Sequence, residues 1–392
     1  MQATPAPSRG PVGHVGLTPS QRAREAANTD GCLSTGTGAL LTSEIPISRA
    51  SGGRGRMVPR LLFVHGIGGP RHEESELTSW TSALAVGMRE SGHSDAADAL
   101  NSGALASCRF TYYGDLFQRP QAQGAGLLPA DGPESAILAE LLVGLVDELT
   151  AEHEHPDTPR DGDWEGRRLL LRQARAEAAS AGQAQGALAV MRRALNVATT
   201  LLSWQPWSAA AEWAVPKLMV RDLAQVARYL ARAEHDESRT SLDARVRRRV
   251  ADALALGEGS TVVVSHSLGT IVALETLHEL TSDIRLFVTL GSPISMRTVV
   301  WPRLVPQPPS TPPGVGSWLN YWDRDDIIAV RPRLERDLRP NSAGVAPVSG
   351  RIDSDGLWVH SAGKYLAQAR VAGRIAEALA SASSGGARSG GS

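Results

Sequence analysis

The sequence predicts an α/β fold, a mostly parallel sheet with a large helical insertion. Three observations predict it. Short apolar runs alternate with segments of helical periodicity. Several of those runs are apolar on consecutive positions, the pattern of strands covered on both faces. Between Asp115 and Ser260 the alternation stops, and helical patterns follow one another with no strand candidate among them.

The elements follow in chain order. Residues 1–56 carry Pro, Ser, Gly and Arg without periodicity and read as a disordered amino-terminal segment. The first part of the core covers 57–114, with strands at Arg60–Val64 (RLLFV) and Ser107–Tyr113 (SCRFTYY) and a helix at Leu77–Arg89. The insertion covers 115–256. Helices are expected there at Glu134–Glu152, Trp164–Ala179, Ala187–Trp204, Ala209–Leu230 and Ser241–Leu256. The sheet resumes over 257–380, with strands at Thr261–Ser265 (TVVVS), Arg285–Leu290 (RLFVTL) and Trp318–Trp322 (WLNYW) and helices at Leu268–Leu280 and Lys364–Ala380. Residues 381–392, rich in Gly and Ser, read as a flexible tail.

Composition narrows the function classes. The 392 residues hold 40 basic and 41 acidic side chains, a net charge of -1, so no global field for nucleic acid or anionic membrane is expected. No apolar run approaches the ~20 residues of a membrane span, and no secretory h-region opens the chain. The expectation is a soluble, cytoplasmic protein with no integral membrane association and no nucleic-acid partner. Cys32 and Cys108 cannot build a disulfide framework or a four-thiolate zinc site. Glu152-His153-Glu154-His155-Pro156-Asp157 lacks the spacing of a helical ligand face and reads as solvated loop charge, so no metal is expected. Arg245, Arg247, Arg248 and Arg249 are flanked by Asp243 and Asp252 and read as a solvated helix face.

The chemistry concentrates in four motifs. In Val262-Val263-Val264-Ser265-His266-Ser267-Leu268-Gly269-Thr270, a β-branched run ends in a small-x-Ser-x-Gly pentapeptide and a helical pattern follows. That is the context of a nucleophile elbow, whose tight turn requires small residues two before and two after the nucleophile. Ser265 and Gly269 satisfy this around Ser267; around Ser265 the same positions would hold Val263 and Ser267, a poorer fit. Phe63-Val64-His65-Gly66-Ile67-Gly68-Gly69 follows the first strand, and a glycine loop there lets backbone N–H groups approach a developing oxyanion. The expected donors are Leu268 and Ile67, or Gly68 in place of Ile67.

The third motif supplies an acid to orient a general-base histidine. In Trp322-Asp323-Arg324-Asp325-Asp326-Ile327-Ile328, Asp326 leads because the Ile pair can anchor its loop; Asp323 is second and Asp325 third. The fourth is Asp355-Gly356-Leu357-Trp358-Val359-His360-Ser361, a histidine loop before the last helix. It completes the chain order Ser267, Asp326, His360. Trp204, Trp207 and Trp213 cluster in the insertion. Helix packing is the plain account of them, and contact of Trp204 and Trp207 with substrate is the sharper one.

Over about residues 58–114 and 257–380 these motifs resemble the α/β-hydrolase superfamily. Asp326-Ile-Ile-Ala-Val-Arg-Pro, His360 and the turn Gly291-Ser292-Pro293 are similar to its lipase- and esterase-like branch. Ser265 departs from the glycine usual at that position. The resemblance implies a serine hydrolase acting on a small-molecule or lipid-like acyl substrate through an acyl-enzyme, with no cofactor. Ester, thioester and amide are not separated by it, and no protein partner is readable. The rival reading is a catalytically silent protein of the same fold, acting as a signalling or partner-binding module through its insertion.

Overall fold

The computed structural model describes residues 58–66, 72–118, 132–153, 164–181, 215–323, 325–330, 332–354 and 359–385, with scattered helical positions between 189 and 200. The amino-terminal segment, Ile67, Gly68, Trp204, Trp207 and residues 386–392 lie outside the described residues, whereas residues 381–385, expected in the flexible tail, are helical.

Six strands form one sheet, all parallel: β1 (Arg60–Val64), β2 (Ser107–Thr111), β3 (Thr261–His266), β4 (Ile284–Leu290), β5 (Trp318–Asp323) and β6 (Pro347–Ile352). Their order across the sheet is β2-β1-β3-β4-β5-β6. The helices are α1 (Glu73–Glu90), α2 (Ser94–Asn101), α3 (Pro133–His153), α4 (Trp164–Ala181), α5 (Val215–Ala231), α6 (Leu242–Ala255), α7 (Leu268–Glu279), α8 (Ala362–Leu366) and α9 (Ala369–Gly385).

Alternation along the strands divides the core in two. Leu62, Val64, Val263, Phe287 and Trp318 face the layer of α3 to α7. Leu61, Phe63, Val262, Val264, Val288 and Leu290 face the layer of α1, α2, α8 and α9. Both faces are covered, which is why RLLFV and TVVVSH are buried at every position. Among the described residues no strand of the sheet lies between β2 and β3; α3, α4, α5 and α6 occupy that interval.

The expected strands are all present: Arg60–Val64 has the expected ends, three others are longer by one residue, and Ser107–Tyr113 stops at Thr111. Two elements escaped the sequence reading. Strand β6 opens on Pro347 and contains Gly350, residues that strands avoid except at an edge, which is where it pairs with β5. Helix α2 is eight residues long and buries only Ala97 and Leu100, too short a stripe for periodicity to register. The helix expected at Lys364–Ala380 is divided into α8 and α9.

Strand order positions the site. From β1 the chain moves outward to β2 on one side, then continues with β3 on the other. The carboxyl ends of β1 and β3 therefore flank a topological switch point, where open parallel sheets form their ligand crevice. Gly66 follows β1 and Ser267 follows β3 at this point.

Candidate active site

Ser267 joins β3 to α7 with φ 54 and ψ −128. A non-glycine residue with this backbone stores about 1–3 kcal/mol of strain, which persists only where the surroundings over-determine it. They do so here. The Ser267 N–H donates to the Leu290 carbonyl at 3.0 Å, and the Thr270 hydroxyl donates to the Ser267 carbonyl at 2.7 Å. A Cβ on Gly269 would collide with the carbonyl oxygens of Val64 and His65, and one on Gly66 would stand 2.6 Å from Ser267 Cβ. Serine 265 points elsewhere: its hydroxyl donates to Val288 O at 3.1 Å inside the sheet.

The turn presents Ser267 Oγ to His360, whose Nε2 lies 2.9 Å away. On the far side of the ring, Nδ1 lies 2.7 Å from Asp326 Oδ2. With a carboxylate at Nδ1, that nitrogen carries the proton and Nε2 is left to accept one from the serine. Asp326 follows β5 in a tight turn, where its Oδ1 accepts the Ile328 N–H at 3.0 Å. Its Oδ2 also accepts the Tyr365 hydroxyl at 2.7 Å. The His266 ring lies against His360, centroids 4.6 Å apart. Gly291, at φ 54, clears space beside the pair: a Cβ there would meet Asp326 Oδ2 at 2.7 Å and His360 Nδ1 at 3.1 Å.

The three carboxylates of the β5 loop are in different surroundings. Asp323 accepts the Ser354 N–H and hydroxyl, both at 2.6 Å, and the Asp325 N–H at 2.9 Å, which ties the loop after β6 to β5. Burial pushes the Asp323 carboxyl up, further than its hydrogen bonds pull it down. Burial also opposes ionisation of Asp326, but the His360 charge and the hydrogen bonds from His360, Tyr365 and Ile328 outweigh it and hold that carboxyl below its usual range. For His360, burial favours the neutral ring, yet the charge and hydrogen bond of Asp326, with the charge of Asp222, raise its pKa above the ordinary imidazole value. Burial and the neighbouring Asp326 keep the Tyr365 phenol protonated.

Of the expected oxyanion donors, Leu268 opens α7, so its N–H is among those an α-helix leaves without an intrahelical acceptor. Ile67 and Gly68 lie outside the described residues, as do Trp204 and Trp207. Among the described residues, the pocket beside Ser267 is lined by Leu141 and Leu145 from α3, Met219, Asp222, Leu223 and Val226 from α5, Pro293, Met296 and Val300 after β4, and Ile328 after β5. Ser267 is 2% exposed, and the cavity volume of the partly open pocket is ≈ 30 Å³, the room of about one water.

Among the described residues, no group of three or more His, Cys, Asp and Glu could hold a metal ion, and no helix is long and apolar enough to cross a membrane. The basic run of α6 is engaged in ion pairs: Arg247 with Asp243, Glu275 and Glu279, and Arg249 with Asp115. Tyr365 and Asp222 are the site residues that sequence reasoning missed. Neither carries a motif; Tyr365 reads as a core aromatic and Asp222, beside Arg221, as half of a surface pair. Comparison with protein-family models, curated proteins and solved structures finds no match to the chain.

Proposed function

We propose that this protein is a serine hydrolase of the α/β-hydrolase kind that cleaves an acyl ester or thioester through an acyl-enzyme. The observation that carries the reading is the hydrogen-bonded series Ser267 Oγ, His360 Nε2, His360 Nδ1, Asp326 Oδ2, set on a strained strand-to-helix turn. Ser267 Oγ attacks the acyl carbonyl while His360 Nε2 takes the hydroxyl proton. The Leu268 N–H, with a second donor from the loop after Gly66, holds the oxyanion. Collapse of the tetrahedral adduct expels the alcohol or thiol, which receives the proton from His360. Water, deprotonated by the same nitrogen, then attacks the acyl-enzyme and releases the acid. Asp326 holds the imidazole tautomer throughout and stabilises the imidazolium. The chemistry requires no metal or cofactor.

In this reading the helices between Asp115 and Leu256 are an insertion, and α3 and α5 form a cover over an apolar acyl pocket. The expected substrate is a small-molecule or lipid-like acyl compound, and the site of action the cytoplasm. One observation favours the silent-module alternative: the pocket beside the nearly buried Ser267 has a cavity volume of only ≈ 30 Å³. Kinetics on a panel of acyl esters separates the two. Ser267→Ala and His360→Ala should each lower kcat by on the order of 10³-fold or more, and the double variant no further, because the pair acts as a unit. Wild-type protein that hydrolyses none of the panel, or retains its rate in Ser267→Ala, defeats the proposal.

A further inference from the structure

Behind the Ser267 turn runs a short series of hydrogen bonds with one direction. The Ser267 carbonyl accepts twice from Thr270, from its N–H at 2.9 Å and from its hydroxyl at 2.7 Å. Thr270 Oγ1 lies 2.9 Å from Ser292 Oγ. Because the Thr270 proton is committed to the Ser267 carbonyl, the Ser292 hydroxyl is the donor in that contact. Ser292 Oγ in turn accepts the Ile294 N–H at 3.3 Å. Thr270 and Ser292 are both buried. The series therefore runs from Ile294 N–H through the Ser292 and Thr270 hydroxyls to the Ser267 carbonyl, each member donating to the next.

The Ser267 carbonyl and the Leu268 N–H belong to one planar, trans peptide unit, so they point in opposite directions and turn together. Whatever fixes the carbonyl also aims the N–H. We propose that Thr270, supported by Ser292, is a positioning residue for the oxyanion: its hydroxyl holds and polarises the Ser267–Leu268 peptide so that the Leu268 N–H is directed at the oxygen of the tetrahedral adduct. The proposal rests on the reading of Ser267 as the nucleophile and goes beyond it by naming what aims the donor. Two effects act together. Ser267 is held at φ 54 and ψ −128, and relaxation of that strained backbone would rotate the peptide and swing the N–H away. A donor on the carbonyl oxygen also draws electron density from the amide nitrogen and strengthens its N–H, and buried hydrogen bonds in series reinforce one another. A threonine in a first helical turn often bonds back to a carbonyl for purely local reasons. Here a second hydroxyl stands behind it, brought from the segment after β4.

The test removes the hydroxyl at nearly constant shape. Wild type, Thr270→Val, Thr270→Ser, Ser292→Ala and the double variant Thr270→Val/Ser292→Ala are compared as full chains. For each, kcat and KM are measured on the acyl ester that turns over fastest, with the melting temperature and the inhibition constant of an alkyl trifluoromethyl ketone. The adduct of such a ketone with a serine carries an oxyanion. Thr270→Val should lower kcat about tenfold at unchanged KM and weaken the ketone by a similar factor, since both depend on the oxyanion donor. Thr270→Ser keeps the hydroxyl and should return both quantities to within about threefold of wild type. The double variant strands no hydroxyl and should be as slow as Thr270→Val. Ser292→Ala should lose about three- to fivefold in the same two quantities, and it decides the matter if neither valine variant folds. A folded Thr270→Val or double variant with kcat and ketone affinity like wild type overturns the proposal and leaves Thr270 a packing residue. So does a Thr270→Ser as slow as Thr270→Val, or, where only Ser292→Ala folds, full kcat and ketone affinity in that variant. In each of these cases an active wild type leaves the nucleophile standing. Wild type that neither turns over an ester nor binds the ketone overturns the nucleophile reading and the proposal with it.

Discussion

Asp326 Oδ2 accepts two hydrogen bonds at once, one from His360 Nδ1 and one from the Tyr365 hydroxyl, and Tyr365 in turn accepts the Asp323 N–H at 3.1 Å. The phenol thus fixes where the carboxylate stands without touching the reacting atoms. Tyr365→Phe should lower kcat about tenfold with KM unchanged, since an orienting hydrogen bond is lost and no substrate contact. A lower melting temperature at full kcat would reduce Tyr365 to packing. The two acids separate in the same way. Asp326→Asn should lower kcat by about 10³–10⁴-fold, because the imidazole is then held in the wrong tautomer. Asp323→Asn should keep turnover and lose stability, because its carboxylate serves Ser354 and Asp325. Ser267, His360 and Asp326 were legible in the sequence because each belongs to a local pattern: a small-x-Ser-x-Gly turn, a loop before the last helix, an acid before an Ile pair. Tyr365 was not, because its role depends on a turn of α8 and on a carboxylate distant in sequence.

Helix α5 is fixed to α7 through a buried ionic network. Glu275, 1% exposed, accepts from Tyr229 and Arg232 at 2.7 Å, from the Val305 N–H at 3.0 Å and from Arg247 at 3.3 Å. Removing one member of such a network strands the others. Glu275→Ala should therefore cost about 3–5 kcal/mol, read as a lower urea midpoint. It should also loosen α5 over Ser267 and raise reactivity toward bulky acyl esters relative to short ones. Unchanged stability would mean that water takes over the role of the carboxylate. At this scale the sequence was readable wherever an element had a long pattern. The consecutive apolar positions of β1, β3 and β4 and the stripe of α5 all registered. Strand β6, with Pro347 and Gly350, did not, because its place at the sheet edge is conferred by β5 and not by its own propensity. Trp204 and Trp207 lie outside the described residues; the described lining is Leu, Met, Val, Ile and Pro with Asp222, from α3, α5 and the segments after β4 and β5.

Across the whole molecule, six parallel strands bring their carboxyl ends to one side, and all four segments that build the site follow such an end: Gly66 after β1, Ser267 after β3, Asp326 after β5 and His360 after β6, ahead of α8. The surrounding charges set the pH response. Asp326 and Asp222 together overcome burial and raise the His360 pKa, so kcat/KM should fall as pH drops through a value above the ordinary imidazole ~6.5. Asp222→Asn should move that limb to lower pH; a limb that stays in place would remove Asp222 from the field at His360. The raised His360 pKa stabilises the fold fully below the unfolded imidazole value, and that contribution is lost as pH rises through the folded one. The depressed Asp326 pKa acts oppositely, contributing above the unfolded carboxyl value and fading as pH falls through the folded one. All of this depends on Ser267 being the nucleophile, and one measurement bears on that most directly. The full chain is treated with an uncharged fluorophosphonate, digested, and the adduct located by mass spectrometry. A single adduct on Ser267, absent from Ser267→Ala and strongly slowed in His360→Ala, is the predicted result. No adduct, or one that persists in Ser267→Ala, would contradict it.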